Sequence, residues 1–206
     1  PAGRYLDPQP RDFTTGDYKF RSTPTGSLPA DADILRTIDA GAPGSSMPSW
    51  KRILPAATRA ALVPYLKTFS GRFAIELVQP AVTIPAAPQP TAADLIVGRE
   101  LYVRLACTKC HGDRGHGDGP GAAGMKDSIG RPIGPNQLIK GVFRAGDTPH
   151  DLFRTLITGL NGTPMPAYDQ TTKAAERWPL VFYLRSLRQK RGWFDYLFAP
   201  LEERKR

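Results

Sequence analysis

The stretch Cys107-Thr108-Lys109-Cys110-His111 decides the fold expected of this chain, and it contains both cysteines of the sequence. Cys-x-x-Cys-His is the pattern through which haem c is attached. Two thiols on one helical turn can each add to a vinyl group of the porphyrin, and the imidazole that follows is then placed to bind the iron. The motif therefore predicts one covalently bound haem c at Cys107 and Cys110, with His111 as an iron ligand.

Three other uses of two closely spaced cysteines fit this sequence less well. A structural zinc site needs two further ligands, and only His116 and His150 remain as histidines. A thioredoxin-type redox pair would follow a strand within a βαβ pattern, and the sequence shows no such pattern. A disulfide across two residues would close a very short loop and would add little stability.

The composition is typical of a folded globular protein, and the net charge indicates which kinds of partner to expect. The 206 residues are 40% hydrophobic and 23% charged, with a formal net charge of +9. No run of about 18 apolar residues is present, so we expect no transmembrane segment. The positive charge favours acidic surfaces. No nucleic-acid-binding motif accompanies it, so we expect redox proteins with acidic docking surfaces as partners, and no nucleic acid.

The residues around the motif resemble a class I cytochrome c domain. The glycine-rich run CHGDRGHGDGPGAAG (110–124) is similar to the loop that follows the haem motif in many bacterial members. It lacks the Gly-Lys-Ser/Thr ending of a phosphate-binding loop. The resemblance implies an all-α fold and electron transfer through haem c.

Two amphipathic helices are predicted in this domain. The first covers 92–108 and leads into the motif, and the last covers 171–188, with Pro179 in its first turn. Gly98 and Tyr102 resemble the Gly-x-x-x-aromatic pair at which this family crosses its first and last helices. A residue without a side chain at that point lets two backbones approach closely.

The sixth iron ligand is expected between these helices. Met165 lies in the segment GTPMPAY (162–168), which two prolines stiffen and which resembles the family's G-x-x-M-P-x-aromatic signature. A thioether is a common haem ligand opposite histidine. The rival in this domain is Met125, but it follows His111 too closely to reach the opposite face of the ring. We therefore predict Met165 as the second iron ligand.

The resemblance also implies residues that support the haem. The segment GPNQL (134–138) is similar to the family's G-P-x-L segment, in which the proline carbonyl, here that of Pro135, accepts the N–H of the axial histidine. Such a bond fixes the orientation of the imidazole ring. Arg144 and Tyr168 are expected to hydrogen-bond the haem propionates, although an exposed arginine can also simply meet water.

The first half of the chain repeats the second. Residues 33–69 align with 151–187 without a gap, and the identical positions include Met47, its proline and both glycines of the methionine loop. The repeat predicts a second cytochrome c domain with Met47 as an iron ligand. No cysteine precedes Cys107, so either this half is haemless or its haem motif lies upstream of Pro1. We favour the upstream motif, because half a domain buries too little apolar surface to be stable.

The predicted architecture is all-α, with two tandem class I cytochrome c domains. The first covers 1–78 and lacks its N-terminal helix and haem motif, 79–92 is a proline- and alanine-rich linker, and the second covers 93–190. A basic and aromatic tail, 191–206, follows. One haem c is expected, and a second if the chain extends upstream of Pro1.

The function that the resemblance implies is electron transfer by a protein that is not itself an enzyme. It would act as a carrier or as the cytochrome subunit of a respiratory or dehydrogenase complex. The alternatives are a dihaem redox enzyme, peroxidase-like or thiosulfate-oxidising, and a haemless first half that serves as an interaction module. Because haem c is attached after export in bacteria, we expect a periplasmic protein or one at the outer face of the cytoplasmic membrane. Membrane association through a complex or a missing N-terminal anchor stays open.

Overall fold

A computed structural model describes residues 2–6 and 8–188 of the chain. The predicted tail, 191–206, lies outside these residues. The regular structure that the model describes is helical and contains no β-strand, which confirms the all-α prediction. An isolated antiparallel bridge joins Lys126 and Pro132. None of the described helices is both long and apolar enough to cross a membrane.

Short helices joined by irregular segments make up the described chain. In order, the α-helices are α1 Asp31–Ala40, α2 Ala56–Lys67, α3 Arg72–Ile75, α4 Ala92–Arg104, α5 Thr108–His111, α6 Pro149–Thr158 and α7 Ala174–Ser186. Short 3-10 helices cover Ala2–Tyr5 and Leu138–Lys140.

The helix predicted at 92–108 is interrupted before the cysteine motif. α4 begins after Thr91, whose hydroxyl accepts the N–H of Asp94 at 3.3 Å. It ends at Arg104, and Ala106 has a φ of 57°, in the left-handed region that helices of L-residues avoid. The chain therefore turns at Ala106, and the motif forms a separate single turn, α5.

The last helix is shorter than predicted and contains its proline. α7 begins after Lys173, whose backbone N–H donates to the Glu176 carboxylate at 2.7 Å. The prediction that Pro179 marks the first turn is wrong, because Pro179 lies in the second turn. Proline has no N–H for the carbonyl of Ala175, so this turn of α7 lacks one backbone hydrogen bond.

α4 and α7 cross at Gly98, as the sequence predicts. A Cβ atom on Gly98 would collide with the carbonyl oxygen of Pro179 and would lie 2.6 Å from Cβ of Tyr183. One turn along α4, the ring of Tyr102 packs on that of Tyr183 with centroids 5.5 Å apart. Only glycine permits this approach of the two backbones, so the Gly98 and Tyr102 pair is confirmed.

Apolar side chains form one core in each half. The core of the second half lies around α4, α6 and α7, and its largest fully buried members are Tyr102, Phe153, Leu180 and Val181. The smaller core of the first half consists of Tyr18, Ile34, Ile38 and Val63. Two apolar side chains of the linker segment, Val82 and Ile84, pack on the second core.

The aligned stretches of the two halves share local structure. α1 and α6 occupy equivalent positions in the alignment, as do α2 and most of α7. In each half a glycine with positive φ ends the first of these helices and a methionine loop follows. The N–H groups of Ala42 and Leu160 donate to the carbonyl oxygens of Met47 and Met165 at 3.1 and 3.2 Å. The similarity thus extends to the hydrogen bonds of these loops.

Candidate haem-binding site

The cysteine motif forms one helical turn with both thiols free. The backbone N–H of His111 donates to the carbonyl of Cys107 at 2.9 Å, which closes the turn. Cys107 is buried and Cys110 is half-buried. Burial raises the pKa of the Cys107 thiol to about 11. A thioredoxin-type pair needs a thiol with a lowered pKa, so this environment does not fit that alternative.

The imidazole of His111 is oriented by a backbone carbonyl. Its Nδ1 lies 2.9 Å from the carbonyl oxygen of Asn136. A carbonyl can only accept, so Nδ1 carries the proton and Nε2 keeps a free lone pair for a metal. Burial lowers the pKa of His111, which favours this neutral ring.

The predicted acceptor for His111 was Pro135, and this prediction is wrong by one residue. The carbonyl oxygen of Pro135 faces the glycine-rich loop instead, 3.1 Å from where a Cβ of Gly117 would lie. The side chain of Asn136 donates to the carbonyl of Val142 at 2.9 Å. That bond helps to fix the peptide whose carbonyl faces the imidazole.

The glycine-rich loop folds back onto the motif. The N–H groups of Gly117, Gly119 and Gly121 donate to the carbonyls of His111, Cys110 and Lys109 at 2.8, 3.2 and 2.7 Å. The last carbonyls of a helix have no partner within it, so these bonds satisfy the end of α5. A Cβ on Gly119 would collide with two of the motif's carbonyl oxygens, which explains the glycine.

The loop of Met165 joins α6 to α7 beside the same core. Met165 and Tyr168 are half-buried and pack on the cluster that contains Cys107. The loop is held from within, because the N–H of Met165 donates to Thr163 Oγ1 at 3.2 Å and that of Tyr168 donates to the carbonyl of Leu156 at 2.8 Å. The described residues that pack on this core include Met165 but not Met125.

Tyr168 and Arg144, the predicted propionate ligands, lie in different surroundings. Tyr168 packs on the core that contains Cys107, and burial, together with the neighbouring Cys107 thiol, raises the pKa of Tyr168. Arg144 is half-buried near Lys19. Burial, together with the charges of Arg11 and Arg144, lowers the pKa of Lys19 to about 8. Propionate contacts of Arg144 and Tyr168 stay a prediction.

Met47 lies apart from this site, in the equivalent loop of the first half. Its N–H donates to Ser45 Oγ at 3.2 Å, the same distance as in the Met165 loop. It is half-buried and is not among the described residues of the core that contains Cys107. Its role as an iron ligand also stays a prediction.

The donor set fits haem c. Two thiols lie on one turn, a neutral imidazole leaves Nε2 free, and a thioether packs on the core that contains Cys107. Within the described residues, no group of three or more His, Cys, Asp or Glu side chains is placed to hold a metal ion. The histidine acceptor Asn136 was missed in the sequence because nothing local distinguishes its carbonyl from that of Pro135.

Comparison with known proteins agrees with this site. A family model for cytochrome c matches residues 96–188. The chain is also similar to a solved structure from the Kuenenia stuttgartiensis reducing HAO-like protein complex Kustc0457/Kustc0458, with 45% identity and a TM-score of 0.89. The match covers 91% of this chain and 85% of that one. A comparison with curated proteins finds no match.

This chain belongs to the cytochrome c family and is a class I c-type cytochrome. The family carries haem c, and Cys107 and Cys110 are the residues that attach it here. The prediction of a covalent haem is therefore confirmed. Membership of this family also supports haem-based electron transfer as the general function.

Proposed function

We propose that this protein transfers single electrons through a haem c whose iron is held by His111 and Met165. The observation that carries the proposal is the hydrogen bond from His111 Nδ1 to the carbonyl of Asn136, which leaves Nε2 free. Met165 packs on the core that contains Cys107, the first cysteine of the same motif. When bound, haem c supplies a one-electron couple between ferric and ferrous iron.

The chain's own residues have defined tasks in this function. Cys107 and Cys110 provide the covalent attachment, and Asn136 keeps the imidazole of His111 in one orientation. The apolar core around α4, α6 and α7 would keep water away from the bound haem. If His111 and Met165 both held the iron of the bound haem, no iron position would be left for a substrate, so we propose electron transfer rather than catalysis.

Spectroscopy of the purified holoprotein tests this ligation. The ferric form should show the weak absorption band of a sulfur-to-iron bond, and carbon monoxide should leave the ferrous spectrum unchanged. A ferrous form that binds carbon monoxide readily would overturn the proposal. It would favour the alternative of a redox enzyme with a displaceable ligand, peroxidase-like or thiosulfate-oxidising.

We also propose that the first half is a second cytochrome c domain, with Met47 as the ligand of a haem attached upstream of Pro1. Ala61 and Tyr65 on α2 align with Pro179 and Tyr183, the residues of α7 that α4 covers. Tyr65 is 58% exposed, so a helix equivalent to α4 would fit against this face. Mass spectrometry of the native protein tests the proposal, because a mass with one haem would favour the haemless interaction module.

The partner and the compartment are proposals of the same kind. The similar solved structure is a reducing HAO-like protein complex, and we propose that this cytochrome is likewise a subunit of a larger redox complex in the periplasm or at the outer face of the cytoplasmic membrane. Size-exclusion chromatography of a gentle extract, with haem staining of cell fractions, tests both. Elution of the haem protein at the mass of the isolated chain would contradict the complex. Haem staining confined to the cytoplasmic fraction would contradict the proposed compartment.

A further inference from the structure

A short segment of the first half contacts the loop that carries Met165. This clamp segment consists of residues 21–27. Arg21, only 1% exposed, donates from Nη2 to the carbonyl oxygen of Thr158 at 2.5 Å. Thr158 is the last residue of α6, directly before the loop. The final carbonyls of a helix have no partner within it, and they favour a positive charge, so Arg21 caps α6 from the other half of the chain.

The clamp segment makes a second contact inside the loop itself. The N–H of Gly26 donates to Oδ1 of Asn161 at 3.0 Å, and Nδ2 of Asn161 donates to the carbonyl of Ser27 at 3.3 Å. The side-chain amide thus uses both of its ends, and Asn161 is only 9% exposed. Buried polar groups held in this way are costly to separate.

These contacts are not part of the repeated loop structure. The alignment pairs Asn161 with Pro43, which has no side-chain amide, so the loop of Met47 cannot form the same pair of bonds. Among the residues that the structure describes, these hydrogen bonds are formed with α6 and the Met165 loop, and the Met47 loop has no counterpart of them. They join the half that holds the cysteine motif to the half that does not.

We propose that Arg21 and Asn161 are positioning residues that hold the Met165 loop closed over the haem bound by the second half. The inference rests on the proposed role of Met165 as an iron ligand. When the loop opens, the thioether of Met165 leaves the iron. Each buried contact that keeps the loop in place shifts the equilibrium between the open and the closed loop toward the closed form. The first half thereby sets how firmly the iron of the second half is ligated.

Imidazole affinity measures this equilibrium directly. An external ligand binds ferric iron only when the loop is open, so its apparent affinity is scaled by the open fraction. The experiment titrates imidazole into the 206-residue holoprotein, with haem attached at Cys107 and Cys110, and into the variants Arg21→Met and Asn161→Ala. Each variant should bind imidazole at least about fivefold more tightly, because each leaves a buried polar group without its partner. Arg21→Lys, which keeps a charged donor, should return part of the difference.

Arg59→Met is the matched control. Arg59 is also a buried arginine of the first half, but its bonds run to Asp39, Lys51 and Leu54 within that half. The imidazole affinity of Arg59→Met should stay within about twofold of that of the parent protein. This is well below the change expected when a buried hydrogen bond to the Met165 loop is lost.

The outcomes separate this inference from the proposed function. A parent protein without the sulfur-to-iron band contradicts the ligation itself. If the band is present and imidazole affinity is unchanged in both variants, the inference is wrong. An equal gain in Arg59→Met also overturns it, because the effect would then be a general loss of stability in the first half. Should Arg21→Met fail to fold, Asn161→Ala, which removes only an amide, decides the question.

Discussion

The Nδ1 atom of His111 lies 2.9 Å from the carbonyl oxygen of Asn136, and this contact fixes the tautomer of the His111 imidazole. The peptide that carries the acceptor is itself restrained, because the Asn136 side chain donates to the carbonyl of Val142. A ring that donates from Nδ1 is more basic at Nε2, which stabilises ferric over ferrous iron. Under the proposed ligation by His111, Asn136 would therefore link the geometry of its loop to the reduction potential of the haem.

Replacing Asn136 with alanine should raise the reduction potential of the haem at Cys107 and Cys110. The carbonyl remains, but the side-chain bond that restrains its peptide is lost, so the bond to His111 weakens. Loss of about 0.5–1.4 kcal/mol corresponds to a rise of about 20–60 mV for one electron. Potentiometric titration measures the shift, and Gln137→Ala, at the exposed neighbouring position, is the control. Equal potentials in both variants and the parent would contradict the role of Asn136.

Replacing Met165 with alanine should leave the haem covalently attached and remove the sulfur-to-iron band of the ferric form. Attachment depends on Cys107 and Cys110, whereas the band depends on the thioether at the iron. Met125→Ala is the matched control, because Met125 is the other methionine of the second half. A band that survives in the first variant and disappears in the second would transfer the ligand role to Met125. If the native protein holds a second haem ligated by Met47, the loss in Met165→Ala is partial.

Gly98→Ala should destabilise the protein by about 1–3 kcal/mol or prevent its folding. The added methyl group would collide with the carbonyl oxygen of Pro179, which belongs to a helix backbone and cannot move aside. The midpoint of chemical denaturation of the holoprotein measures the effect. Gly71→Ala serves as the control, because a Cβ there meets no atom within 4 Å. Equal midpoints in the two variants would show that α4 and α7 do not cross as closely as described.

Local signatures explain which parts of the site could be predicted from sequence. The cysteine motif, the Gly98 and Tyr102 pair and the Met165 loop are each short sequence patterns. The repeat of residues 33–69 in 151–187 gives further support to the prediction of the Met165 loop. The turn at Ala106 could not be predicted, because alanine carries no local signal for a positive φ. The acceptor Asn136 depends on tertiary packing, which decides which of two neighbouring carbonyls faces the imidazole.

The contacts of the clamp segment could not be predicted from the sequence either, because they also depend on tertiary packing. Arg21 and Thr158 are far apart in the chain, and each looks like an ordinary polar residue in its own segment. Only the folded chain brings a guanidinium to the end of α6. Pairing across such a distance has no signature in a single sequence.

Electron transfer to an acidic partner should slow as salt increases. The net charge of +9 gives a long-range attraction, and the Debye length falls to about 10 Å at 0.1 M ionic strength. Stopped-flow rate constants with an acidic redox protein should therefore fall by about tenfold between low and physiological salt. A flat profile would reject steering and favour a permanent complex held by an apolar interface.

Two charge reversals, one at each end of α7, test where the partner is attracted. Arg185 is exposed near the end of α7, and Lys173 is exposed at its beginning. Arg185→Glu and Lys173→Glu change the net charge equally, so they differ only in position. The C-terminal end of α7 precedes a basic stretch that includes Lys190 and Arg191, which lie outside the described residues. We therefore expect Arg185→Glu to reduce the salt dependence more than Lys173→Glu, with haem spectra unchanged in both. An equal reduction would mean that the overall charge, rather than this end of the helix, steers the partner.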